Sequence, residues 1–277
     1  MRIDAHQHFW IYEPREYEWI DESMGGLRRD FLPLDLEPRL RGSRFDGCVA
    51  VQARQTLAET RWLLELAGQF SFVRGVVGWV DLRGADLRDT LAGLSKNQKL
   101  VGVRHIVQSE PDERFLLRPE FLRGIATLEE FGLAYDILIF AKHLRVAAEF
   151  VRKFPRQRFV LDHLAKPPIQ GGDLREWKRG IRELSDIPNV MAKLSGLVTE
   201  ADWKEWTQEQ IVECLDVAFE CFGAARLMIG SDWPVCTLAG TYERVMGIVT
   251  DYMGQRPVIE QDAVLGGNAK RFWKLGV

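Results

Sequence analysis

Two histidines two residues apart open the chain, in Asp4-Ala5-His6-Gln7-His8. Alternate side chains of an extended strand point to one side. A strand over Ile3–Ala5 running into a loop therefore sends both imidazoles out of its C-terminal end together. Neutral imidazole can ligate a metal or polarise a carbonyl. His105 and His163 also stand at predicted strand ends, and so does Asp232, in Gly-Ser-Asp-Trp-Pro. Gln52 and Arg54 end the second strand, Arg104 and His105 sit on the fourth, and Lys193 and Ser195 end the seventh. A carboxylate among several imidazoles offers a proton acceptor beside groups that stabilise negative charge, the equipment of hydrolysis. Asp162 alternates with His163 and is expected to point away, into a helix-packing layer; His143, at a helix start, reads as structural.

Positioning these groups requires strands whose ends share one mouth. Eight short apolar runs qualify: Ile3–Ala5, Gly47–Gln52, Val73–Val80, Val101–Ile106, Ala134–Phe140, Phe159–His163, Val190–Leu194 and Leu227–Gly230. Amphipathic patterns separate most of them, as in Glu59–Phe70, Pro119–Phe131, Leu144–Phe154 and Thr207–Phe222. Eight strands alternating with helices predict an α/β fold, a (β/α)8 TIM barrel, as one domain over residues 1–277. An open doubly wound sheet is the alternative, but no Gly-rich phosphate turn follows the first strand. Phe9–Phe45 reads as a long insertion after that strand, rich in aromatic residues and placed to form a partial lid. Lys166–Asp173 reads as a plain loop.

A chain of 277 residues with 46% hydrophobic content can fill one barrel core. The net charge of -3, without a basic stripe, argues against nucleic acid and membrane surfaces as partners. No apolar run is long enough to span a bilayer, and the N-terminus reads as a strand carrying chemistry, not as a signal peptide. Cys48, Cys214, Cys221 and Cys236 lack Cys-x-x-Cys spacing and read as reduced thiols of a cytoplasmic protein. Oligomeric state is left open, with a homo-oligomer allowed.

Five segments, in order along the whole chain, resemble the amidohydrolase superfamily, and within it the sugar-lactonase branch of L-fuconolactonases and L-rhamnonolactonases. They are Asp-Ala-His-Gln-His-Phe-Trp at 4–10, Val-Gln-Ala-Arg at 51–54, Asp-His-Leu-Ala-Lys-Pro at 162–167, Lys-Leu-Ser-Gly-Leu-Val-Thr-Glu-Ala-Asp-Trp at 193–203, and Gly-Ser-Asp-Trp-Pro-Val-Cys at 230–236. The resemblance implies a (β/α)8 barrel that hydrolyses a neutral aldonolactone in sugar catabolism. Asp232 is then the general base, and His6, His8 and His163 polarise the carbonyl. One divalent metal, zinc or manganese, on His6, His8 and Asp232 would do the same; the middle-strand ligand usual in metal-dependent relatives is missing, since the fifth strand ends Leu138-Ile139-Phe140. Arg104 and His105 are expected to contact the substrate, Gln52, Arg54 and Lys193 to read ring hydroxyls, and Trp10 and Trp233 to stack on the sugar. Two other readings compete. One is a metal-dependent hydrolase or decarboxylase of an acidic ring compound on the same barrel; the other is a non-catalytic sugar-acid binder.

Overall fold

The computed structural model describes residues 1–276. Eight strands form one sheet in sequential order: β1 (Ile3–Gln7), β2 (Gly47–Val51), β3 (Val73–Gly78), β4 (Leu100–Ile106), β5 (Ala134–Leu138), β6 (Phe159–Leu161), β7 (Val190–Leu194) and β8 (Leu227–Ile229). All seven sequential pairings are parallel. Just past β8 the chain returns to β1. The Asp232 amide donates to the His6 carbonyl at 2.8 Å and the His8 amide to the Trp233 carbonyl at 2.7 Å. That contact closes the barrel and excludes the open sheet.

The crossovers are α1 (Pro33–Gly42), α2 (Leu57–Gln69), α3 (Leu87–Leu94), α4 (Pro119–Glu130), α5 (Leu144–Arg152), α6 (Arg175–Ser185), α7 (Gln208–Phe222) and α8 (Tyr242–Gly254). Two short helices, α9 (Val258–Asp262) and α10 (Asn268–Trp273), follow. Helix α1 corrects the expectation of one continuous insertion over Phe9–Phe45. Pro33 sits at its first positions, and Leu36 and Leu40 bury one turn apart. Pro38 inside the helix hides this pattern from a reading that treats proline as a breaker. The true insertion is the stretch before Pro33, pinned by paired hydrogen bonds between the backbones of Trp10 and Phe31.

Two apolar layers hold the barrel. The larger lies between strands and helices; the smaller fills the interior with Ile3, Val49, Val77, Val101, Val160 and Met228. Phe272, Trp273 and Leu275 plug the interior layer from the strands' N-terminal end, where the Arg158 guanidinium, just before β6, donates to the Phe272 carbonyl. The plug leaves the C-terminal ends of the strands as the open mouth, the usual site of chemistry in this architecture. Among the described residues, no helix is long and apolar enough to cross a membrane. Cys48, Cys214 and Cys236 are buried, Cys221 is half-buried, and all four are free thiols.

Candidate active site

Strand β1 delivers its two histidines by a bulge. Asp4 pairs with Cys48 but Gln7 with Ala50, so β1 holds one residue more than its partner over this stretch. The extra residue resets the alternation. Gln7 turns outward to Cys48 Sγ, while His6 and His8 face the barrel axis with their Nε2 atoms 3.2 Å apart. The His8 Nδ1–H donates to the Val51 carbonyl at 2.8 Å, which leaves Nε2 as a lone pair. His6 Nε2 accepts from Arg104 Nη1 at 3.3 Å.

Strand β6 ends at Leu161, and the backbone then enters the left-handed region for four consecutive residues. His163, Leu164, Ala165 and Lys166 have φ of 53°, 49°, 57° and 54°. Each such residue costs about 1–2 kcal/mol, so the turn needs support. Trp177 Nε1 supplies it by donating to the Leu164 carbonyl at 2.7 Å, and Leu164 and Ala165 are fully buried. The turn swings His163 over the mouth, with Nδ1 2.9 Å from Ser195 Oγ. Gly196 lies against this ring: it has φ +62°, and a Cβ there would stand 2.4 Å from His163 Nδ1.

Asp232, also left-handed at φ 57°, presents Oδ1 to all three rings. It lies 3.3 Å from His8 Nε2, 3.7 Å from His6 Nε2 and 3.8 Å from His163 Nε2. Burial opposes its charge, but the facing imidazoles outweigh burial and hold the carboxyl well below the usual range. Burial pushes the His163 pKa down to about 4, and that of His6 well below the ordinary value. Near neutral pH the site therefore pairs an ionised carboxylate with neutral His6 and His163.

Below these groups lies a buried ionic floor. Arg104 Nη1 reaches Asp162 Oδ2 at 3.0 Å, and Lys193 Nζ reaches Asp162 Oδ1 at 2.9 Å and Asp136 Oδ2 at 2.5 Å. Lys193 Nζ also lies 3.2 Å from His6 Nδ1. Asp162 thus corrects its expected placement: it faces the axis like Val160, with Leu161 turned outward between them, and it is His163 that the left-handed turn brings in against the alternation. Asp136, in the middle of β5, was not singled out, although a lone carboxylate in Ala-Tyr-Asp-Ile-Leu is itself a signal of an interior polar layer.

His8, His163, Asp232 and Arg104 line a cavity of about 350 Å³, a size suited to a small ligand. Trp19 and Met24 of the β1 insertion form part of its wall, with Phe140, Lys166, Glu200 and Trp203 opposite. The other expected substrate contacts lie elsewhere. His105 points outward, stacked on Phe115 at 4.8 Å and bonded to Glu110 at 2.6 Å, as alternation with inward Arg104 requires. Gln52 is fully buried and accepts from Arg104 Nη2 at 2.9 Å. Arg54 pairs with Glu16 of the β1 insertion, and Lys193 is sealed in the floor. Trp10 is enclosed by Tyr17, Trp19 and Phe31, and Trp233 by Phe9 and Phe31. None of these six residues lines the cavity.

His6, His8 and Asp232 have ligand atoms close enough together to hold one metal ion. Tetrahedral ligands at about 2.0–2.1 Å stand roughly 3.3–3.4 Å apart, against 3.2, 3.3 and 3.7 Å here. Each of the three atoms is an acceptor, so a cation or a proton must lie among them. The set fits a divalent metal. A second cluster, His6, Asp162 and His163, already has cations on its carboxylate, from Lys193 and Arg104.

A family model for amidohydrolases matches residues 3–275. The chain belongs to the amidohydrolase family. It is 41% identical to an L-fucono-1,5-lactonase of Burkholderia multivorans, over 99% of this chain and 96% of that one. It is 39% identical to an L-fucono-1,5-lactonase of Burkholderia ambifaria, with the same coverage. A zinc-bound crystal structure of a Burkholderia multivorans amidohydrolase superposes over 100% of both chains, with a TM-score of 0.97 and 41% identity.

Proposed function

We propose that this amidohydrolase hydrolyses a neutral six-carbon aldonolactone, L-fucono-1,5-lactone or a close stereochemical relative. The observation that carries the reading is the meeting of Asp232 with the Nε2 atoms of His6, His8 and His163 within 3.8 Å, on the floor of a small cavity. The near-full-length identity to L-fucono-1,5-lactonases supports the substrate class.

Lactone opening is acyl transfer to water. Asp232 takes a proton from the attacking water, whose oxygen bonds to the carbonyl carbon. The carbonyl oxygen becomes an oxyanion facing Arg104 and His163, the donors that line the cavity beside Asp232. The ring C–O bond then breaks, and Asp232 returns the proton to the leaving alkoxide, giving the free sugar acid. Each fixed donor aimed at the oxyanion contributes about 3 kcal/mol. Ser195 and Val51 fix the ring orientations of His163 and His8. A zinc or manganese ion on His6, His8 and Asp232 would supply Lewis acidity at the same oxygen.

The test is a pH-indicator assay on a panel of 1,4- and 1,5-aldonolactones and a pyrone dicarboxylate, with chelated and metal-supplemented protein. Turnover of an aldonolactone is expected. Turnover of the dicarboxylate alone would refute the proposal. Activity that survives chelation assigns polarisation to His163 and Arg104; activity lost and restored by metal assigns it to the ligand set.

A further inference from the structure

We propose that Lys166 and Glu200 form a charge-balanced clamp on the cavity wall that selects an uncharged polyol and offers its anionic hydrolysis product no net attraction. This rests on the lactonase reading above. The two side chains face each other at 3.1 Å and are about one-fifth exposed. Both line the cavity that holds His8, His163 and Asp232. Neither is a flexible surface group. Lys166 ends the left-handed turn that carries His163, and its Nζ lies 5.6 Å above the Phe140 ring. Glu200 closes a short 3-10 turn, Val198–Glu200, whose terminal carbonyl accepts from the Gln170 amide at 3.0 Å.

The chemistry follows from the pairing. A carboxylate accepts from one hydroxyl while an ammonium donates to its neighbour, so the pair matches a vicinal diol and adds no net charge. Hydrolysis turns the neutral lactone into a carboxylate. That anion then shares the cavity with two carboxylates, Asp232 and Glu200, and two cations, Arg104 and Lys166, so the lining gives it no net attraction. Burial raises the Glu200 pKa, Lys166 opposes the rise, and the Asp232 charge adds to it. The clamp thus holds the neutral substrate through hydrogen bonds while its two charges cancel toward the anionic product.

The two halves predict opposite effects on an anion, which a merely structural role would not produce. The probe is L-fuconate, titrated calorimetrically into the full chain and used as an inhibitor of lactone turnover. Glu200→Gln leaves the ammonium uncompensated and should tighten fuconate binding about tenfold; Lys166→Met should weaken it comparably. Lys166→Met/Glu200→Gln should fall between the single variants. Each single variant should raise KM for the lactone by about tenfold and change kcat by less than about threefold. If one single variant does not fold, the other and the double variant still decide, because their order is fixed. Shifts of fuconate affinity in the same direction in both, or in neither, would overturn the clamp. Failure of the unaltered protein to open any aldonolactone would instead overturn the lactonase reading, and the fuconate titration would still read the sign of the pair.

Discussion

Replacing Lys193 by Met should destabilise the barrel through one uncompensated charge, and a second substitution should restore it. The floor holds two cations, Arg104 and Lys193, and two carboxylates, Asp136 and Asp162, all within a few per cent of full burial. Their formal sum is zero. Removing Lys193 leaves -1 in the interior, and Asp136 suffers most. Among the described residues its one ion-pair partner is Lys193 at 2.5 Å, its Oδ1 has no partner, and burial works against its charge. Asp162 keeps Arg104 at 3.0 Å. Breaking a buried pair by removing one partner costs about 3–5 kcal/mol, against about 5–15 kcal/mol of total stability for a typical domain. Lys193→Met/Asp136→Asn returns the sum to zero and should recover most of the loss, to within about 2 kcal/mol of the unaltered protein. Urea unfolding at pH 7, with the slope checked for constancy, measures both. If the double variant were no more stable than Lys193→Met, Lys193 would act by packing, and the charge argument would fail.

Two further predictions concern the loop that walls the cavity. Glu59 is fully buried and accepts from the amides of Ala53 and Arg54, and burial raises its pKa from 4.5 to about 7. The folded state therefore binds this proton more tightly than the unfolded chain. Its contribution is full below about pH 4.5 and falls by about 3 kcal/mol as pH rises to 7; Glu59→Gln should flatten that slope in unfolding midpoints taken from pH 4.5 to 8, and an unchanged slope would refute it. Trp19 is 40% exposed and lines the cavity, whereas Trp10 is fully buried beside it. Trp19→Ala should raise KM with little loss of stability, while Trp10→Ala should cost about 3–5 kcal/mol in urea unfolding; the reverse pattern would mean the wall is misassigned.

The eight strands were legible because each is a short run dominated by apolar and β-branched residues, even where β1, β3, β5 and β7 carry a polar residue inside. The catalytic candidates were legible for the same reason: imidazole at a strand end has few packing explanations. What was not legible lies where periodicity stops. Period two predicts a direction only while the backbone stays extended: it puts Asp162 inward with Val160, and only the left-handed turn beginning at His163 lets that neighbouring ring reach the mouth as well. The left-handed turn that follows contains no glycine and carries no local sequence signal. The same rule, applied strictly, would have separated inward Arg104 from outward His105. Trp10 and Trp233 are expected at the sugar, but aromatic neighbours enclose both, and Trp19, which is 40% exposed, reaches the cavity instead. Lys166 and Glu200 stood in two of the motifs that resemble the sugar-lactonase branch, yet only the fold sets them face to face.

The most direct measurement is steady-state turnover of L-fucono-1,5-lactone by the unaltered chain and by Asp232→Asn, each with its unfolding midpoint. Asn keeps the size of the side chain and cannot take the proton from water. A general base contributes about 10²–10⁴ in rate, so kcat should fall by that factor while the fold is retained. Turnover by a folded Asp232→Asn variant near that of the unaltered chain would contradict the account, because among the described residues no other carboxylate pairs with the Nε2 atoms of all three histidines.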